Sequence, residues 1–507
     1  MKRNVAMGFL LDRVIPKEIT MPKLRIYFSD FFNVTPKKIK DYGAFNISLI
    51  NDLPLFIDPF LLFNNEKYKG LHQSIIKYVS FLRDRSQHGE LNSGLIKSWF
   101  LFPEVKQNWL GYSIVGNGGS GLGIDFAKSL NNSFSNILQN FGREEITEGS
   151  HLEKLCLIKE GVGKDSVSDF TTNLIKSFLL KYTEDFAKDN IDEKYLSEHI
   201  VAKVDFNYET RSWSSKKFIL PTYDGDYVLL TPRDILTKDE TWINRNEMIE
   251  DFRDICDSIS NDQLRGQLSD YFNRCLPDEA KKKERELAAD LTIKNYPSFI
   301  DYYIRYKEQN PNGANRESDE KVSETERRYV EAVQLLVNMI FERNEDFFHS
   351  KDDTFEETYK RVSYLKQVIE NNNGYKVFYL NGVPVKREAD LQLMFRLTWF
   401  ASISDVNSEV DNGRGPVDYK ISRGSKDKTL VEFKLASNSK LKQNLANQVK
   451  VYESANETKK SIKVILYFND TELSKLIKVF KELGVKESKE LVIIDARPNK
   501  VSASNVK

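Results

Sequence analysis

The stretch GRGPVDYKISRGSKDKTLVEFKLASNSK, residues 413–440, decides how the last quarter of the chain reads. It holds two runs of strand composition, VDYKIS and TLVEFKLA, joined by a glycine- and charge-rich turn. Side chains alternate along a strand, so Val431, Phe433 and Leu435 share one face of the second run, and Glu432 and Lys434 share the other. Asp418 lies at the end of the first run. Pairing the runs brings Asp418 beside Glu432, and two bare carboxylates there repel, which raises one pKa. A divalent cation removes that penalty. Mg²⁺ (or Mn²⁺) takes oxygen ligands and keeps several waters. Lys434, on the same face, then orients or helps deprotonate one of those waters and stabilises charge on a phosphate. The plainer alternative is a surface hairpin, with Glu432 and Lys434 forming a ladder pair on an edge strand.

The surrounding module, residues 374–507, sharpens the choice. GYKVFYLNGVPV is a hairpin signal around Asn381-Gly382. Residues 386–402 have helical spacing at Leu391, Phe395 and Trp399, and residues 441–455 at Leu441, Leu445 and Val449. IKVILYF (462–468) and ELVIIDA (490–496) are apolar strands that flank a helix over 471–484. Apolar strands alternating with helices predict an α/β unit whose sheet is buried on both faces.

Pro416-x-Asp418 with Glu432-x-Lys434, followed by Gln448-x-x-x-Tyr452, resembles the PD-(D/E)xK nuclease superfamily. The resemblance covers about a quarter of the chain. It implies a restriction-endonuclease-like αβββαβ sandwich and Mg²⁺-dependent hydrolysis of phosphodiesters. Asp418, Glu432 and the Phe433 carbonyl would then ligate the metal, and Lys434 would position the attacking water. Glu388, on the preceding helix, would assist through metal or water, and Gln448 and Tyr452 would support the site. Each has a bland counterpart. Gln448 and Tyr452 also fit a helix surface, and Glu388 fits a first helical turn, where acids are favoured. Arg414, Lys440, Lys442 and Lys450 either contact backbone phosphates or serve the turn and the solubility of the helix.

Charge supports a polyanion partner. The 507 residues balance 75 Lys and Arg against 75 Asp and Glu, but residues 376–507 carry 24 against 16, a net +8 on an acidic remainder of −8. The five histidines all precede residue 350, which excludes a histidine-metal nuclease in the C-terminal part. Cys156, Cys256 and Cys275 form no CxxC pair, which argues against structural zinc or a disulfide framework and for a reducing cytoplasm. No window approaches the roughly 18 apolar residues of a membrane span. Asp12 and Arg13 interrupt the apolar part of the N-terminus, against a secretory signal.

The first 315 residues predict an α+β region without an assigned role. LRIYFSDFFNV has strand-like composition, and LHQSIIKYVSFLRD has helical spacing. Glycines 116, 118, 119, 121 and 123 make either a phosphate-cradling turn or a plain loop. Residues 158–165 fail the P-loop test, with Ile158 for the first Gly and Asp165 for Ser/Thr. Residues 227–245 read as strand, turn and short helix. NPNGANRESDE (310–320) reads as a linker, and residues 316–373 as a helical linker or bridge that could join two copies of the chain. Three functions remain in play: a DNA endonuclease of bacterial antiviral defence, by analogy of plan; a non-catalytic nucleic-acid binder with a degenerate nuclease fold; and a nucleotide-dependent enzyme housed in the N-terminal region.

Overall fold

The computed structural model describes residues 25–50, 52–88, 91–111, 123–136, 138–158, 164–238, 240–276, 282–331, 352–371, 374–380, 383–384, 388–399, 402, 404–411, 416–424, 426–445 and 460–498. Its strands, in chain order, are β1 (Phe56–Ile57), β2 (Leu196–Asn207), β3 (Ser212–Tyr223), β4 (Asp226–Tyr227), β5 (Leu236–Thr237), β6 (Tyr379–Leu380), β7 (Val383–Pro384), β8 (Asp405–Asp411), β9 (Pro416–Arg423), β10 (Asp427–Leu435), β11 (Ser461–Tyr467) and β12 (Leu491–Asp495). The chain is α/β. Among the described residues no helix is long and apolar enough to cross a membrane.

The N-terminal region is mainly helical, with the long antiparallel β2–β3 hairpin laid against it. Lys69–Gln87 is helical, as its apolar spacing requires, and buries Ile75, Val79 and Leu82. The strand expected at LRIYFSDFFNV is instead a bridge at Tyr27 and a short helix, Phe28–Phe31. The Asp30 carboxylate accepts the Ile26 and Tyr27 amides, which curls the chain, while Phe28 packs on Phe32 and Phe186. The strand–turn–helix expected at 227–245 resolves into the end of β4, a 3₁₀ turn at Arg233–Ile235, β5 and the start of a helix at Arg245.

The linker expected at 310–320 is a helix, Pro311–Thr325. Pro311 occupies the first turn, where its missing amide is harmless. Ala314, Ser318, Val322 and Thr325 supply a buried stripe of small residues. Gly313 passes so close to the Trp242 ring that a Cβ there would lie 2.8 Å from it.

The C-terminal sheet runs β12-β11-β10-β9-β8. β8, β9 and β10 form an antiparallel meander, and β10, β11 and β12 are parallel. Gly424 makes the β9–β10 turn at φ +70°, a conformation that favours glycine. Against the expected four-strand core, the sheet has five strands, with β8 added as an edge. One face, with Tyr419, Val431, Phe433, Val464 and Val492, packs under the helices Thr354–Asn371 and Glu388–Leu397. The other face, with Ile465 and Tyr467, packs under Leu441 and the helix Asp470–Leu483.

The Thr354–Asn371 helix is therefore a layer of this sheet, where a bridge ending at 373 was expected. The Thr354 amide and hydroxyl donate to Asp427, the Glu357 carboxylate accepts from Ser402, Ser404 and Arg423, and the Asp495 amide donates to Glu370.

Candidate active site

Asp418, Glu432, Lys434 and Glu388 meet where β9 begins and β10 ends. The pairing of Val431 with Tyr419 makes Glu432 and Asp418 the next residues along the ladder. The Phe433 amide donates to Asp418 Oδ2 at 2.6 Å, which fixes that carboxylate between the two strands. Glu388 opens its helix, and its Oε1 accepts the Leu435 amide at 3.3 Å. Aromatic packing holds this helix on the sheet: Phe395 lies 5.3 Å from Tyr419 and 5.1 Å from Phe433, and the Tyr419 hydroxyl donates to the Gln392 carbonyl at 3.0 Å. Its apolar face thus sets where its acidic first residue lands.

Lys434 Nζ stands among the three carboxylates, 3.4 Å from Glu388, 3.5 Å from Glu432 and 3.8 Å from Asp418. It also donates to the Phe433 carbonyl at 2.8 Å. Burial pushes Asp418 up to about 6, with Lys434 and the Phe433 amide opposing and Glu432 and Glu388 adding to the rise. Burial also raises Glu432, against the pull of Lys434 and Lys463. For Lys434, burial acts downwards, but the three carboxylates together hold it above the ordinary lysine value.

Three carboxylates against one central ammonium leave a half-buried excess of negative charge, built from oxygen donors. That is the chemistry a hard divalent cation neutralises. Among the described residues, no three His, Cys, Asp or Glu side chains converge closely enough to hold a metal ion by themselves, and Lys434 occupies the centre of this group.

Of the other expected residues, Arg414, Gln448, Lys450 and Tyr452 lie outside the described residues. Lys440 is exposed at the entry to the 441–445 helical turn. Lys442 pairs with Glu482 at 2.9 Å across the surface, so its charge is partly answered within the chain.

Two lysines escaped the sequence reading. Lys463 is the β11 partner of Glu432, and it donates to the Asn444 and Leu445 carbonyls at 3.3 and 3.2 Å. Lys475 donates to the carbonyls of Ala436, Ser437 and Asn438, which pins the loop leaving β10. A lysine inside the apolar run SIKVILY was the available signal for Lys463; nothing in the sequence marked Lys475.

Residues 33–244 match the model of a domain of unknown function (DUF8370), and residues 354–470 match that of a second domain of unknown function (DUF8371). The second match begins at the Thr354 helix and contains all four clustered residues. No curated protein and no solved structure matches the chain.

Proposed function

We propose that the C-terminal unit is a metal-dependent nuclease of the PD-(D/E)xK kind, with DNA as its substrate. The observation that carries the proposal is the convergence of Asp418, Glu432, Glu388 and Lys434 at the β9–β10 edge of a mixed sheet with helices on both faces. A meander running into parallel strands, with a helix delivering Glu388, supports the restriction-endonuclease-like reading of the fold. Asp418, Glu432 and the Phe433 carbonyl would hold Mg²⁺ or Mn²⁺, and Glu388 lies close enough to contribute. When bound, the cation supplies Lewis-acid stabilisation of phosphate charge and a more acidic water. Lys434 stays protonated among the carboxylates, orients a water on the strand face and offsets charge on the scissile phosphate. The Phe433 amide keeps Asp418 from turning away. The basic C-terminal quarter supports a polyanionic substrate.

A role in bacterial antiviral defence, in the cytoplasm, belongs to the same proposal and rests on the plan of a nuclease joined to a large second region. A homo-oligomer through residues 316–373 is less favoured, because the apolar faces of Pro311–Thr325 and Thr354–Asn371 are already buried within the chain. The rival reading is a non-catalytic cluster in which Lys434 is a permanent counter-ion, and its central position favours that rival. The test incubates the chain with linear, circular and single-stranded DNA and with RNA, in Mg²⁺ or EDTA. Cleavage of DNA that requires Mg²⁺ and disappears in both Asp418→Ala and Lys434→Ala is expected. Cleavage that survives both substitutions, or no cleavage of any substrate, rejects the assignment.

A further inference from the structure

The N-terminal region holds a cavity of about 530 Å³, within the range of about 300–1,000 Å³ that takes small organic ligands. The Lys69–Gln87 helix, the junction of the Lys164–Leu174 and Lys176–Asn190 helices, and the tip of the β2–β3 hairpin enclose it. Four half-buried rings line it: Phe178, Phe206, Tyr208 and Trp213. Phe206 faces Trp213 across the hairpin, with centroids 5.3 Å apart, and lies 5.1 Å from Tyr208.

The hairpin tip is aimed there by a specific device. The β2–β3 register shifts between Val201 and Asp205, with Lys203 in the left-handed region at φ +52°. The Lys203 ammonium anchors the bulge by donating to the Ser98 and Leu101 carbonyls at 3.2 and 3.0 Å. Beyond the bulge, Phe206 packs on Tyr78 of the long helix at 4.9 Å.

Two cations stand at the rim. Lys77 Nζ lies 4.4 Å from the Tyr208 ring centroid, and no carboxylate lies within ion-pair distance of it among the described residues. Lys181 is exposed and shared with Asp185 at 2.7 Å and Glu184 at 3.5 Å. The lining carboxylate, Asp205, has its own partner in Lys216. Ring faces attract cations, but Lys77 already occupies that position over Tyr208 and would repel a second cation. A flat aromatic group carrying an anion satisfies both features, with its ring against the aromatic wall and its negative charge at Lys77.

We propose that this cleft binds a free nucleotide, the base stacked among Phe206, Tyr208 and Trp213 and the phosphate held by Lys77 with help from Lys181. The site is separate from the C-terminal carboxylate cluster and does not depend on that cluster being a nuclease. Stacking of bases on aromatic side chains is tolerant of base identity, so the geometry selects a class of ligand before a particular base.

The test is calorimetric titration of the full chain, in EDTA, with the four nucleoside 5′-monophosphates and the matching uncharged nucleosides. At least one monophosphate should saturate the chain. Lys77→Gln should weaken the monophosphate by about tenfold and leave the nucleoside unchanged. Trp213→Leu should weaken both by roughly ten- to a hundredfold. If the melting curve shows that Trp213→Leu fails to fold, Tyr208→Ala at the hairpin tip takes its place with the same expectation. Absence of saturation by any monophosphate up to about 1 mM overturns the proposal. So does binding that neither the lysine nor the ring substitution weakens, or binding by a single-stranded oligonucleotide alone.

Discussion

Lys434 shows how one side chain carries two meanings. Its ammonium neutralises part of a group that would otherwise hold three carboxylates in a half-buried space, and it stands where a substrate phosphate would need a positive charge. The raised values of Asp418 and Glu432 follow from the same crowding, with burial as the largest cause.

A second titratable residue makes a separate prediction about stability. Burial, helped by the neighbouring His151, lowers His72 from the ordinary imidazole value of 6.5 to about 3. Its neutral form is favoured in the folded chain, so its contribution is complete above pH 6.5 and is lost as pH falls towards 3. The full loss is on the order of 5 kcal/mol. Urea unfolding at pH 7 and at about pH 4.5 should show a smaller acid-side loss for His72→Leu than for the wild type. Parallel losses would refute this placement of His72.

Elements were legible where burial imposed a clean period. β10, β11, β12 and the Asp470–Leu483 helix followed from alternation or from helical spacing. That helix also has both of its stops in the sequence: Asn469 caps its start by accepting the Glu472 amide, and Gly484 ends it at φ +67°. β8 was not legible, because DVNSEVD at a sheet edge offers only two apolar residues. The β2–β3 hairpin escaped for a related reason: SWSSKKFILPTY shows mostly exposed polar residues until Phe218. The Pro311 helix was misread because Pro, Gly and charge also suit a linker, and its buried stripe is of small residues rather than large apolar ones. The Glu432–Asp418–Lys434 grouping was legible through period-2 alternation; the Lys463 contact required the parallel register of β11.

The Thr354 helix supplies an element-scale test. Its first amide and hydroxyl are satisfied by Asp427, at 2.9 and 2.8 Å, and Lys460 pairs with the same carboxylate at 2.8 Å. Asp427→Ala should destabilise the chain by about 1–3 kcal/mol in chemical denaturation, because it leaves the start of a buried helix unpaired. No loss of stability would mean that the helix is not anchored there.

Across the whole molecule, one apolar core runs from Ile26 through Val322, Tyr329 and Val330 to the C-terminal sheet. Residues 376–507 nevertheless carry +8 against −8 for the rest. A basic unit on an acidic body should bind DNA in a strongly salt-dependent way. Three or four phosphate contacts predict a loss of roughly 40- to 150-fold in affinity between about 50 and 200 mM salt, read by fluorescence anisotropy in EDTA. A flat salt profile would remove the electrostatic argument for a nucleic-acid partner.

The central claim is that the β9–β10 edge hydrolyses phosphodiesters. The most direct measurement is the Mg²⁺-dependent rate of DNA cleavage by the wild type and by Glu432→Gln, which keeps the shape of the side chain and removes its charge. The account predicts that the rate falls by about a hundred- to a thousandfold while the melting temperature is retained. Equal rates in the two proteins would contradict it.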